Sequence, residues 1–284
     1  MNLKYCYVPV VFLTLLTAVA ARADEVQLAY DGKSLNADRV IADEARASDE
    51  IMLILHGTLG HKDMEIIETL QSLLAEVGRD SLAINLSLDI DDRHGFFDCD
   101  LPHTHRANDA IDELGVWVDW LRTSGIKKIS LLGHSRGANQ AAKYVLTGDT
   151  PISNLVLLAP PASDSSLAAC ELQTLASMKK DDWLSDVNFL HCEAAKVQVA
   201  SYLSYLGSGA NTDTVTLLSD IEIPTLVISG SDDQVSAGLG ARMTAAVSDS
   251  VSHIEIDGAG HFFRDLYLYD VVDAIDAFLS REEQ

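Results

Sequence analysis

The stretch ISLLGHSRGA, residues 129–138, decides the fold of this chain. An apolar, β-forming run ends in Gly-x-Ser-x-Gly, and residues 139–146 continue with a helix-forming sequence. Strand, tight turn and helix in this order are the setting in which Gly-x-Ser-x-Gly forms a nucleophile elbow, with its serine above the sheet. Neighbouring backbone should leave no room for a Cβ at Gly133 or Gly137. The pattern predicts Ser135 as a nucleophile at a strand end.

The segments around this stretch alternate between short apolar runs and longer runs with apolar residues at helical spacing. The apolar runs predict buried strands at 51–55, 82–86, 155–158, 224–229 and 253–256. Helical spacing predicts helices at 63–77, 108–122, 237–247 and 266–279. Two further strands, 26–30 and 39–45, would form an antiparallel edge around a turn at Asp31-Gly32. We therefore expect an α/β fold with a doubly wound, mostly parallel sheet, whose chemistry lies at the carboxyl ends of the strands.

Residues 162–219 interrupt this alternation. They contain helical patches around 165–178 and 193–206 and no clear strand. We expect a single domain at residues 24–284 that carries a small helical cap at about 162–219.

The first residues, 1–23, have the pattern of a secretory signal peptide. Lys4 precedes an apolar run over residues 5–20, and small residues lead to a predicted cleavage site after Ala23. An uncleaved anchor is the alternative, but the run is shorter than the roughly 20 residues that a membrane-spanning helix needs. The sequence thus predicts a secreted or periplasmic protein without a membrane span after cleavage.

The charge of the chain is strongly acidic. Twenty Lys and Arg face 43 Asp and Glu, a formal net charge of −23. Such a surface repels nucleic acid and anionic membrane, so we expect neither as a partner. The oligomeric state is not predicted by any pattern in the sequence.

The cysteines predict one disulfide in an oxidising compartment. Cys6 would leave with the signal peptide, so that Cys99, Cys170 and Cys192 remain. Cys170–Cys192 is the favoured pair because both residues lie in the insertion, and pairing of Cys99 with either of them stays open.

Three polar motifs follow predicted strands and accompany the elbow. They are His56-Gly57-Thr58, GSDDQV at residues 230–235, and Gly260-His261. Together and in this order they resemble the α/β-hydrolase superfamily, of the esterase and lipase kind, from about residue 26 to residue 279. The resemblance implies an α/β-hydrolase fold, a small-molecule ester as substrate and no cofactor.

The resemblance also assigns roles to individual residues. Ser135 would be the nucleophile and His261 the general base that takes its proton. The acid that orients the imidazole is expected at Asp233, with Asp232 as the alternative.

Two backbone N–H groups would stabilise the oxyanion of the tetrahedral intermediate. They belong to Arg136, directly after the nucleophile, and by resemblance to Thr58. We expect the Arg136 side chain to point toward solvent or an acid of the sheet. His134 should pack and hydrogen-bond beneath the elbow.

The loop at residues 87–106 is expected to face the substrate. Phe96 and Phe97 in this loop, and Phe262 after the general base, are predicted apolar contacts. Phe263 could line the same pocket, although core packing is an equal alternative.

The same loop contains potential metal ligands. Cys99, His103 and His105, with Asp98 or His94, could bind a metal ion. Their spacing fits no standard zinc motif, so we expect no metal.

Two functions compete. The first is a serine hydrolase that cleaves carboxylic esters through an acyl-enzyme, although thioester, lactone and amide hydrolases use the same triad. The second is a catalytically silent binding protein on the same fold. Such scaffolds usually lack a triad residue, and none is missing from this sequence.

Overall fold

The computed structural model describes residues 23–43, 48–148, 151–162, 167–207 and 212–282. The elements in chain order are β1 (Ala23–Tyr30), β2 (Lys33–Val40), β3 (Glu50–Leu55), α1 (Glu65–Glu76), β4 (Ser81–Asn85), α2 (Asp109–Thr123), β5 (Lys128–His134), α3 (Arg136–Thr147), β6 (Asn154–Leu158), α4 (Ala169–Ala176), β7 (Trp183–Phe189), β8 (Cys192–Gln198), α5 (Val199–Leu206), α6 (Thr214–Leu217), a 3-10 turn (Leu218–Asp220), β9 (Thr225–Gly230), α7 (Leu239–Met243), β10 (Val251–Ile256) and α8 (Tyr267–Glu282).

Eight strands form one twisted sheet in the order β1-β2-β4-β3-β5-β6-β9-β10. The β1–β2 and β2–β4 pairs are antiparallel, and the other pairs are parallel. The predicted mostly parallel sheet with an antiparallel edge is thus confirmed. The edge hairpin is tighter than expected, because Asp31 and Gly32 both have positive φ and β2 begins directly at Lys33.

Helices cover both faces of the sheet and divide the core into two layers. On one face, α2 and α3 pack against the central strands, with Trp117 of α2 fully buried. On the other face, α1 and α8 pack together through residues such as Leu70 and Ile275, both fully buried. This two-layer burial fixes the strand ends, and therefore the site that lies on them.

The insertion between β6 and β9 contains a β-hairpin as well as helices. β7 and β8 pair antiparallel where we predicted no clear strand, and β8 occupies the first part of the predicted helical patch 193–206. The two strands were not recognised in the sequence because the hairpin contains a pair of register shifts, with Asp186 and Ala194 at positive φ. Such bulges break the two-residue alternation by which a half-buried strand is recognised.

The disulfide joins Cys99 to Cys192, with Cα atoms 5.4 Å apart, and so the favoured Cys170–Cys192 pair was wrong. Cys170 is exposed and free in α4. The loop that follows β4 lies against the hairpin, where His103 N–H donates to Lys196 O at 2.8 Å and His103 O accepts from Gln198 N–H at 3.0 Å. This contact between distant segments brings Cys99 to β8.

The predicted signal peptide falls almost entirely on residues 1–22, which lie outside the described residues, and β1 begins at Ala23. Within the described ranges, no helix combines the length and apolar character needed to cross a membrane.

Candidate active site

Ser135 occupies the sharp turn between β5 and α3. Its φ of 55° and ψ of −124° are strained values for a residue with a side chain. A Cβ on Gly133 would lie 2.3 Å from Gly137 O, and one on Gly137 would lie 2.3 Å from His56 O. Both glycines are therefore required by close backbone contacts, and the serine is raised above the strand end.

His261 lies between Ser135 and Asp233. Its Nε2 is 2.9 Å from Ser135 Oγ, and its Nδ1 is 2.8 Å from Asp233 Oδ2. The carboxylate can only accept, so Nδ1 carries the proton and Nε2 is left to accept from the serine hydroxyl. The structure thus brings together three residues that are far apart in the sequence.

Asp233 is 5% exposed, and its second oxygen is also occupied. Oδ1 accepts from the backbone N–H groups of Val235 at 2.8 Å and Ser236 at 2.9 Å. Burial acts to raise the pKa of Asp233, but the bonds from His261 and from these N–H groups outweigh it, so the pKa is lowered. The carboxylate is therefore charged at neutral pH. Asp232, the alternative acid, is exposed, and its backbone N–H donates to Ala259 O.

His134 lies under the elbow and is 1% exposed. Its Nε2 is 2.9 Å from the backbone O of His261 and must donate to it. Burial, and the nearby His261, lower the pKa of His134 to about 4, so it is neutral at neutral pH. A neutral His134 therefore holds the backbone of His261 in place, as its position before the nucleophile suggested.

The loop after β3 passes close to the nucleophile. A Cβ on Gly57 would lie 3.2 Å from the Cβ of Ser135, so Thr58 follows directly beside the serine. The described residues make a set of backbone hydrogen bonds outside the regular pairing of helices and strands. None of these bonds is donated by Thr58 N–H or by Arg136 N–H. Arg136 is the first residue of α3, where a helical N–H has no partner within its own helix.

Among the described residues, the Arg136 side chain reaches no acid of the sheet, which was one of the two directions we expected, the other being solvent. Its Nε donates to Thr58 Oγ1 at 3.1 Å, and its guanidinium carbon lies 5.5 Å from the ring centre of Tyr205 in α5. The side chain is half-buried between the loop after β3 and the insertion.

Arg93 supports this loop and was not identified from the sequence, where it is one of two arginines in the polar loop at residues 87–106. Its side chain is 4% exposed. Its guanidinium donates to four oxygens, which are Leu86 O at 2.7 Å, Gly60 O at 2.8 Å, Asn85 Oδ1 at 2.8 Å and Gly95 O. Arg93 therefore ties the loop after β3 to the loop after β4.

His56 completes the support. Its Nε2 accepts from Leu86 N–H at 3.1 Å, so Nδ1 carries the proton and donates to Gly57 O at 2.8 Å. Burial, with the charge of Arg93, lowers the pKa of His56 to about 3. A neutral imidazole thus fixes the carbonyl that precedes Thr58.

The aromatic residues of the loop 87–106 divide between core and surface. Phe97 is 6% exposed and packs against His103 with ring centres 4.6 Å apart, so it belongs to the core and not to a substrate surface. Phe96 is 64% exposed and contacts the edge of His61. Phe262 is 39% exposed, with its ring centre 5.2 Å from that of His261, whereas Phe263 is fully buried.

The histidines of this loop bond to each other and to the insertion. His103 Nδ1 and His105 Nε2 are 3.1 Å apart, and His105 Nδ1 is 2.9 Å from Tyr205 Oη. Burial lowers the pKa of His103 to about 4 and that of His105 to about 3. Cys99 is in the disulfide and offers no thiolate, so the ligand set considered from the sequence is not assembled.

Among the described residues, three potential metal ligands come within reach of one another only at Glu25, Asp92 and His94. All three are exposed and lie beside the antiparallel edge of the sheet.

Comparisons with known proteins agree with this architecture. No curated protein matches the chain significantly. Among solved structures, Est1E from Butyrivibrio proteoclasticus superimposes with a TM-score of 0.66 at 17% identity, covering 91% of this chain and 98% of Est1E. The Pyrococcus furiosus esterase Pf2001 gives 0.59 at 16% identity, covering 92% of this chain and 91% of the esterase. A Paleococcus ferrophilus monoacylglycerol lipase gives 0.61 at 18% identity, covering 87% and 99%. These likenesses show the fold.

A family model is matched directly by the sequence. Residues 50–193, about half of the chain, match the model described as the alpha/beta hydrolase fold. This range begins with β3 and includes the elbow. The chain therefore belongs to the alpha/beta hydrolase family.

Proposed function

We propose that this protein is a serine hydrolase that cleaves carboxylic esters through an acyl-enzyme on Ser135. The observation that carries the proposal is the pair of contacts made by His261, 2.9 Å to Ser135 Oγ and 2.8 Å to Asp233 Oδ2. A serine hydroxyl needs such a hydrogen-bonded base to become nucleophilic.

Acylation would begin with proton transfer from Ser135 Oγ to His261 Nε2 as Oγ attacks the ester carbonyl. The charge on the carbonyl oxygen would be stabilised by the N–H groups of Thr58 and Arg136, and loss of one such donor typically costs about 3 kcal/mol of barrier. His261 would return the proton to the leaving alcohol. A water molecule, activated by His261 in the same way, would then attack the acyl-enzyme and release the carboxylic acid. Asp233 would stabilise the imidazolium in both acylation and deacylation.

We also propose that the protein acts outside the cytoplasm, in the periplasm or after secretion. The signal-peptide pattern at residues 1–23 supports this location, and the Cys99–Cys192 disulfide is consistent with an oxidising compartment.

The test is hydrolysis of short aryl esters, combined with labelling by a fluorophosphonate probe. Ser135→Ala should abolish both turnover and labelling, and exposed Ser219→Ala should change neither. Unchanged turnover in Ser135→Ala would end the proposal. A wild-type chain that forms no adduct and hydrolyses no ester, thioester, lactone or amide would be the catalytically silent scaffold.

A further inference from the structure

Arg136, the residue after the nucleophile, carries a positive charge that no anion among the described residues balances. Its pKa is lowered by burial, and no carboxylate in the described part of the chain forms an ion pair with it. The sequence has more than two acidic residues for every basic one, so the missing ion pair does not come from a shortage of acidic side chains. A half-buried guanidinium that lacks one has lost hydration without a compensating charge.

Among the described residues, the contacts of Arg136 leave most of its N–H donors unused. Nε binds Thr58 Oγ1, and the flat face lies on the Tyr205 ring. The two terminal nitrogens carry four further N–H groups in a planar fork, the geometry that fits a carboxylate. The contact of Nε with Thr58 places the guanidinium beside the residue whose N–H would bind the oxyanion.

His191 and Asp233 do not neutralise Arg136. His191, at the tip of the β7–β8 hairpin, has a pKa lowered first by partial burial and then by the charges of Arg136 and His261. Asp233 is the acid of this group, and its oxygens are already occupied by His261 and two backbone N–H groups. The positive charge of Arg136 is therefore not compensated by Asp233, in spite of the acidic exterior.

We propose that Arg136 is a specificity-determining residue that binds a carboxylate of the substrate, so that the preferred esters carry an acid group near the scissile carbonyl. This inference rests on the proposed ester hydrolase function. It goes beyond the oxyanion role of Arg136, which uses the backbone N–H and would be the same for any side chain.

The test compares two esters that differ by one charge, the para-nitrophenyl monoester of succinic acid and its methyl-capped diester. The readout is the ratio of their kcat/KM values, which a general loss of folding or activity leaves unchanged. Arg136→Gln should lower this ratio roughly tenfold to a hundredfold, the worth of a charge-assisted hydrogen bond. Arg136→Lys, which keeps the charge but loses the fork, should lower it less. Arg106→Gln, which removes an equal charge from an exposed side chain, should leave it unchanged.

An unchanged ratio in Arg136→Gln would overturn the inference and leave Arg136 as a positioning residue for Thr58. An equal fall in Arg106→Gln would also overturn it, since the effect would then come from overall charge. Calorimetric titration of succinate monoester into Ser135→Ala, with and without Arg136→Gln, separates the two proposals. Binding that depends on Arg136 supports the inference even if Ser135 proves not to be the nucleophile, and binding independent of Arg136 contradicts it.

Discussion

Replacing Asp233 by Asn should nearly abolish catalysis without disturbing the fold. Oδ1 of Asp233 accepts from two backbone N–H groups, so the amide oxygen of an asparagine must take that position. The amide NH2 group then replaces Oδ2 and donates to His261 Nδ1. The imidazole is forced to carry its proton on Nε2, which faces Ser135 Oγ at 2.9 Å and can no longer accept from it.

The expected loss follows from this reversed tautomer. In serine proteases the equivalent change costs about 10⁴-fold in kcat, and we expect roughly 10³- to 10⁴-fold here, or about 4 to 5.5 kcal/mol of barrier. The matched control is Asp232→Asn, which removes the same charge from an exposed neighbour and should keep kcat within about twofold.

The assay is steady-state hydrolysis of para-nitrophenyl acetate, with circular dichroism to verify the fold and fluorophosphonate labelling to follow the reactivity of Ser135. A full loss in Asp232→Asn with activity retained in Asp233→Asn would move the acid to Asp232. Near wild-type turnover in both variants would refute the tautomer argument altogether.

Three further predictions concern stability. Cys99→Ser should lower the free energy of unfolding by about 4 to 5 kcal/mol in denaturant titrations, because the bridge spans a sequence separation of 93, whereas exposed Cys170→Ser should leave it unchanged. Glu113→Gln should stabilise the protein by about 3 kcal/mol above pH 7 and very little below pH 4.5. Burial raises the pKa of Glu113 from 4.5 to about 7 in the folded state, so the wild type loses stability as pH rises between these values, and urea unfolding at both ends of the range measures it. Gly137→Ala should cost about 2 kcal/mol or more, because its Cβ would lie 2.3 Å from a carbonyl oxygen. Gly115→Ala in α2, with its nearest atom 3.9 Å away, should gain up to about 1 kcal/mol, and thermal unfolding of the two variants should move in opposite directions.

The elbow and the buried strands could be predicted because each depends on neighbours in the sequence. The strand, glycine, serine and helix of residues 129–147 are consecutive, and the apolar run of β3 requires two buried faces wherever it lies. The edge strand β2 was placed too late because its polar residues give little hydrophobic signal, although its backbone pairs fully with β1.

The features that were missed depend on contacts between distant segments. The Arg136 side chain lies on Tyr205 of the insertion, and no local pattern reveals that pairing. Phe97 lies in the loop that we expected to face the substrate, but its ring packs against His103. The backbone of His103 is hydrogen-bonded to the hairpin. The catalytic roles of Ser135, His261 and Asp233 remain predictions whose geometry is now known.

The contacts of Arg93 bear on how this scaffold can be altered. Three of its four acceptors are main-chain carbonyl oxygens, at residues 60, 86 and 95, and every amino acid provides such an oxygen. The bonds that shape the rim therefore do not depend on the side chains of the two loops, which can be exchanged in a randomised library at other positions. Gly60 and Gly95 themselves have to stay, because a Cβ on Gly60 would lie 2.5 Å from Met64 Sδ and Gly95 has a φ of 73°. One invariant arginine would let the walls of the cleft diversify around a constant backbone.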